Sequence, residues 1–230
     1  MHLINSKAIS LVVILFLCIF GLLFGLYDFY KCKKKIKPIA YSISGTTMGT
    51  TYSVLIKDHK IITPSQLFIL KRKIDVILER INDSMSTYKK ISTISKFNHY
   101  CGIDAFFIGL DMAYVVRNAL HLSKLSNGAF DITSGPLIDL WGFDLSDRNL
   151  CVPKNKDIKM LCSHIGLNKI IVMGEWLKKF NSKIKINLSG IAKGYGVDIL
   201  YQFIKKSGFK NFMVEIGGEI RVKNENKTKK

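Results

Sequence analysis

The run AISLVVILFLCIFGLLFGL, from Ala8 to Leu26, carries no charge and one polar side chain, Ser10. About 20 consecutive apolar residues span a hydrocarbon core as a helix. A cleaved signal peptide has a shorter apolar core, about 7–15 residues, followed by a small-x-small cleavage site. The flank YDFYKCKKKIK offers no such site, and Leu15-Phe16-Leu17 lacks the small residues expected before a lipidated Cys18. An uncleaved transmembrane anchor over 1–30 is therefore predicted, with Tyr27, Phe29 and Tyr30 at the membrane interface. A basic linker, 31–40, follows, and one globular unit fills 41–230.

The first 37 residues hold six lysines and one acid, Asp28, so most of the net charge of +18 is spread through the remainder. That balance suits phosphate-bearing ligands or anionic surfaces. No helix-turn-helix, zinc-finger or RNP-type aromatic pattern accompanies it, and nucleic acid is not an expected partner. The five cysteines (Cys18, Cys32, Cys101, Cys151, Cys162) show no CxxC pair or metal-like spacing. They leave the redox compartment and any disulfide open.

Within the globular unit, Tyr52, Val54 and Ile56 alternate, predicting a strand over 50–56. Next comes a helix with strong start signals: Thr63 to N-cap, Pro64 at N1 and Gln66 to complete a capping box. Its predicted buried stripe is Leu67, Leu70, Ile74, Ile77 and Ile81. A second helix spans about 108–126 and closes at Asn127-Gly128. Strands are predicted at 169–173 and 183–188, a third helix at 190–206 ending at Gly208, and strands at 212–216 and 220–222 around Gly217-Gly218. This order indicates an α+β layered domain rather than a doubly wound Rossmann sheet.

Five segments place small residues beside a few polar ones at element boundaries: GTTMGTTYSV (45–54), DSMSTYKKISTISKFN (83–98), GAFDITSGPLIDLWGF (128–143), INLSGIAKGYGVD (186–198) and VEIGGEI (214–220). Sites for extended phosphate-bearing ligands are often built this way, because backbone N–H groups must approach closely. Neither GxGxxG nor GxxxxGK[ST] is present. In this order and spacing the segments resemble the FAD:protein FMN transferase (ApbE-like) family, from about Ser44 to Arg221.

The resemblance implies an enzyme, a single layered flavin-transferase domain that uses Mg²⁺ to cleave the FAD pyrophosphate. FMN passes to a Thr or Ser hydroxyl of a target flavoprotein and AMP is released. Such chemistry needs an extended FAD site, a cation and an aligned acceptor hydroxyl. On the matching positions, Met48, Tyr88, Ala129, Phe130, Asp131, Asn187 and Lys193 are the implied cofactor-binding residues. Gly190 is an implied Mg²⁺ ligand through its carbonyl, and no catalytic side chain is assigned. Read without the resemblance, Met48 is a core methionine, Tyr88 a surface tyrosine, Asp131 a turn brace and Lys193 a solvated lysine. Asn187 stands where the family usually has Asp, which keeps an acceptor and loses a charge. Pro136, Trp141 and Gly142 shape a loop, Asp198 is structural, and Glu215 with Gly217, Gly218 and Glu219 forms a tight turn beside the site.

The family domain continues past this point, with an IDP-x-TG-like segment and an Asp-Ala-x-x-Thr-like motif that supplies Mg²⁺ ligands. Neither occurs in this sequence, so the expectation is a domain lacking its C-terminal part. One carbonyl does not hold Mg²⁺, which takes several oxygen ligands. Alternatives are an inactive remnant, a non-catalytic FAD-binding module, or a basic membrane-anchored interaction protein. The resemblance also implies a single-pass protein of the bacterial inner membrane with its domain on the periplasmic side. The expected partner is an acceptor flavoprotein subunit of a respiratory or redox complex. The five lysines after the apolar run, against Lys7 before it, argue for the cytoplasmic side. The periplasmic expectation is preferred here.

Overall fold

The capping box predicted at Thr63 forms as written. In a computed structural model that describes residues 15–23, 38–143 and 152–225, the Gln66 N–H donates to Thr63 Oγ1 at 3.3 Å. Gln66 Oε1 in turn accepts from the Thr63 N–H at 3.0 Å. Such caps contribute about 1 kcal/mol. Helix α1, Pro64–Met85, follows and buries Leu70, Ile74, Leu78, Ile81 and Met85. Leu78 and Met85 extend the predicted stripe, while Leu67 and Ile77 stay at its edge. Each side chain so buried is worth about 1.5–3 kcal/mol.

Leu70, Ile74 and Leu78 of that stripe share a core with a four-stranded sheet of order β1-β2-β6-β7. Its strands are β1 Ile39–Thr47, β2 Thr50–Asp58, β6 Asn211–Ile216 and β7 Glu219–Asn224. β2 and β6 pair antiparallel with Tyr52 opposite Ile216 and Val54 opposite Val214. As the alternation predicts, Tyr52, Val54 and Ile56 are buried. β1 is absent from the sequence expectation, because Gly45 breaks its pattern. A Cβ there would lie 2.6 Å from the Tyr52 ring, so the glycine is what lets the two strands close over that tyrosine.

A smaller sheet, β3-β5-β4, lies elsewhere in the chain, made of Phe106–Phe107, Trp176–Lys179 and Ile170–Met173. Helices α2 (Thr93–His99), α3 (Gly109–Leu125), α4 (Gly135–Leu140), α5 (Asn155–Cys162) and α6 (Ser189–Lys206) follow, with short 3-10 turns at Ile132–Ser134 and Leu167–Lys169. α3 ends as predicted in a left-handed cap. Asn127 has φ 50°, and the Gly128 N–H reaches the Ser123 carbonyl at 2.9 Å; this is a Schellman closure.

The strand expected at 183–188 is a correction. β5 comes earlier, within the stretch expected to be a connection, and 184–188 is unpaired chain. Ile184, Ile186 and Leu188 are buried as the alternation requires, but side chains hold both backbone groups of Ile186 and the carbonyl of Ile184. Asn98 brackets Ile186, accepting from its N–H at 2.8 Å and donating to its carbonyl at 2.9 Å. The buried Lys179 ammonium donates to the carbonyls of Phe97 and Ile184. Burial also pulls its pKa below the ordinary lysine value. Periodicity reports burial, not the partner of a backbone group.

The chain forms two units, Met1–Ile39 and Ala40–Lys230. In the first, residues 15–23 are helical and exposed. The rest of the predicted anchor, including Tyr27, Phe29 and Tyr30, lies outside the described residues. Among the described residues no helix is long and apolar enough to cross a membrane.

Candidate functional site

Three pieces of the second unit converge on one cleft: the β1–β2 turn, the end of α1 with the loop after it, and the first turns of α6. The β1–β2 connection is Met48-Gly49, both left-handed, with φ 49° and 70°. Two left-handed residues in a two-residue hairpin make a type I′ turn, whose twist matches the strands. The conformation favours Gly, Asn or Asp, so methionine is strained there. Its side chain is half-buried and packs against both of the chain's hydrophobic clusters. Below it lies Gly196, where a Cβ would come within 3.1 Å of Met48 Cε.

Asn82 of α1 ties the turn in place, its amide donating to Thr47 Oγ1 at 3.2 Å. The loop after α1 is pinned from α2. Ser92 Oγ donates to the Ser86 carbonyl at 2.6 Å, and Ser95 Oγ reaches the Ser86 and Thr87 carbonyls. These bonds set Ser86, Thr87 and Tyr88 on the cleft wall.

The cleft has a volume of about 140 Å³, with Met48, Ile81, Met85 and Ala192 as its apolar part. Asn82, Ser86, Thr87, Tyr88, Ser189 and Lys193 supply its polar part. Ligand pockets commonly enclose about 300–1,000 Å³, so this one has room for a ring rather than a whole dinucleotide. Thr87 Oγ1 is buried on this wall without a hydrogen-bond partner, a group that a polar ring edge would satisfy. Lys193 and the N-terminus of α6, with no acid in its first turn, place positive potential beside the ring slot.

Of the implied cofactor residues, Met48, Tyr88 and Lys193 line this cleft. Ala129, Phe130, Asp131 and Asn187 do not. Phe130 packs over the start of α6, so closely that a Cβ on Gly190 would lie 3.3 Å from its ring. Asp131 is engaged locally, one carboxylate oxygen accepting from the Thr133 N–H at 2.7 Å and its hydroxyl at 2.6 Å. Asn187 is buried; its side-chain oxygen accepts from the Ser189 N–H at 2.8 Å, which anchors the first turn of α6. Asn82, Met85, Ser86, Thr87, Ser189 and Ala192 are the lining residues that sequence reasoning passed over. Met85, Ser86, Thr87, Ser189 and Ala192 stand inside the quoted motifs, and their signal is adjacency to Tyr88, Gly190 and Lys193. Asn82 carries only helical spacing from Leu78.

A Mg²⁺ ion fits less well. Among the described residues no group of three or more His, Cys, Asp and Glu side chains is placed to hold a metal. The Gly190 carbonyl alone falls short of the several oxygens Mg²⁺ takes.

A sequence model of the ApbE family matches residues 48–230. The chain belongs to the ApbE family. It is similar to the FAD:protein FMN transferase of Vibrio cholerae serotype O1, with 38% identity over 196 residues, covering 85% of this chain and 58% of the relative. The Haemophilus influenzae FAD:protein FMN transferase is also 38% identical, over 200 residues, covering 85% and 57%. Among solved structures, the flavin transferase ApbE from Vibrio cholerae superposes with a TM-score of 0.77 at 38% identity, covering 82% of this chain and 60% of that one. The apo form of the Pseudomonas stutzeri flavinyl transferase ApbE gives 0.74 at 28% identity, covering 81% and 61%. The ApbE fold and its α+β layering are thus shown, and this chain spans less than two thirds of each of these relatives.

Proposed function

We propose that this chain carries the flavin-holding part of an FAD:protein FMN transferase. The observation that supports it most is the convergence of Met48, Tyr88 and Lys193 on one ring-sized cleft beside a helix N-terminus. The apolar part takes the flavin ring, and Lys193 with the α6 N–H groups takes phosphate. FAD is the substrate. The P–O bond between its two phosphates breaks, a new one forms to a Thr or Ser hydroxyl of the acceptor, and AMP leaves. The acceptor is a flavoprotein subunit of a respiratory or redox complex. Mg²⁺ dependence comes from the family likeness. The apolar run Ala8–Leu26 supports membrane anchoring, and the family likeness supports the periplasmic face of a bacterial inner membrane for the ApbE unit.

The test uses the purified 230-residue chain. Titration with FAD is followed by flavin fluorescence, then the chain is incubated with FAD, Mg²⁺ and an acceptor flavoprotein and assayed for covalently bound FMN. Saturable binding that weakens about tenfold in Met48→Ala is the expected result. Absence of binding at millimolar FAD would sink the proposal. Binding with no transfer would make the chain a flavin-binding module rather than an enzyme in its own right.

A further inference from the structure

We propose that Glu219 is a positioning residue for Lys193, presenting its ammonium to a ligand phosphate; the inference rests on the flavin reading above. Lys193 lines the ring-sized cleft, and its Nζ lies 3.2 Å from Glu219 Oε1. Its stem is confined as well. A Cβ on Gly217 would sit 3.2 Å from Lys193 Cδ, so the glycine turn presses on the lysine's aliphatic chain. The β6–β7 turn therefore touches Lys193 twice, through Gly217 and through the carboxylate that follows it.

The other oxygen of Glu219, Oε2, is buried with no hydrogen-bond partner. Leaving a carboxylate oxygen unsatisfied opposes stability, so stability does not account for this residue. Glu219 also lines a second cleft of about 380 Å³, with Tyr114, Tyr195 and Asp198. The ion pair thus joins the linings of two clefts.

Two effects of the carboxylate compete when a phosphate approaches. Its charge repels the ligand, and its hold on Lys193 removes the rotamer freedom that a free lysine loses on binding. The side chains are 33% and 43% exposed, so repulsion is screened by solvent. Ordering of the lysine is the larger effect, and the net result is tighter phosphate binding.

The experiment compares FMN with riboflavin, which lacks the phosphate, by flavin fluorescence on the full chain. Wild type is set beside E219A, E219Q, K193M and the K193M/E219A double variant, with folding checked by circular dichroism. E219A is expected to weaken FMN about tenfold and riboflavin less than about twofold. E219Q, whose amide oxygen still accepts from the ammonium, keeps most of the affinity even if E219A folds poorly. The double variant binds FMN no more weakly than K193M, because Glu219 acts only through the lysine. FMN binding equal to or tighter than wild type in E219A overturns the inference, since Glu219 would then be idle or a competitor for Lys193. Equal losses for FMN and riboflavin, or additive losses in the double variant, overturn it too. A wild-type chain that binds both flavins equally sinks this inference alone; one that binds neither sinks the flavin reading with it.

Discussion

Two hairpin turns sit at one end of the four-stranded sheet with the same backbone and different residues. At the β6–β7 turn, Gly217 and Gly218 have φ 54° and 98°; at the β1–β2 turn, Met48 and Gly49 have φ 49° and 70°. The Gly217 N–H reaches the Thr51 carbonyl at 3.1 Å, so the two turns are neighbours. The glycine pair is what a left-handed turn favours, and it also clears room for Thr50 and Lys193. The methionine is what such a turn resists. A strained residue persists where its side chain has work that a glycine lacks, and Met48 is the one turn residue of the four that lines the ring-sized cleft. One turn is shaped by the backbone it needs, the other by the cleft its side chain lines.

The largest expected effect breaks the glycine turn. In Gly217→Ala the new Cβ would lie 2.8 Å from Thr50 Cγ2, a β-branched methyl with little room to move. Clash and left-handed strain together predict a loss of about 2–3 kcal/mol, measured by urea unfolding. A loss below about 0.5 kcal/mol would show that this turn is as tolerant as its neighbour.

The second prediction measures the strain at Met48. Elsewhere alanine is usually the more stabilising residue and glycine the weaker. Here Met48→Gly is expected to be more stable than Met48→Ala by about 1 kcal/mol, because both lose the same packing and only glycine is relieved. Thermal and urea unfolding of the pair read it directly. Equal stabilities would mean that methionine sits there without strain, and the contrast between the turns would vanish.

How much of this was legible in the sequence differs between the same two places. The capping box at Thr63, the alternation of Tyr52, Val54 and Ile56, and the closure at Asn127-Gly128 are local devices, and the structure bears out each. The gathering of Met48, Tyr88 and Lys193 was reached through ordered motifs, since no local pattern brings residues so far apart together. The contacts beneath it were not legible: Asn82 on Thr47, Ser92 and Ser95 on the carbonyls of Ser86 and Thr87, and Asn98 on Ile186. A polar side chain bonded to a group in another element leaves no period in the sequence. The same blindness turned the buried run 184–188 into a strand, because Lys179 and Asn98 took bonds that a neighbouring strand would otherwise make. The ion pair of Lys193 with Glu219 was hidden in a motif that reads as a turn.

The smallest expected effect on stability sharpens the comparison most. Gly196 lies one helical turn past Lys193, and a Cβ there would come within 3.1 Å of Met48 Cε and of Ile216 Cδ1. Both are the ends of flexible side chains, so each can give by a few tenths of an ångström. Replacing a helical glycine by alanine gains about 1 kcal/mol of helix propensity, which offsets a crowding cost of similar size. Gly196→Ala is therefore expected to unfold within about 1 kcal/mol of wild type. Its consequence falls on the ligand: the tip of Met48, barred from α6, moves toward the cleft and narrows a slot of only about 140 Å³. Riboflavin affinity, which reads the ring alone, is expected to drop about tenfold. Adding Met48→Ala to the variant removes the obstructing tip, so the double variant binds no worse than Met48→Ala by itself. Unchanged riboflavin binding in Gly196→Ala would show that Met48 does not shape the ring slot, and its strained turn would lose the reason given for it.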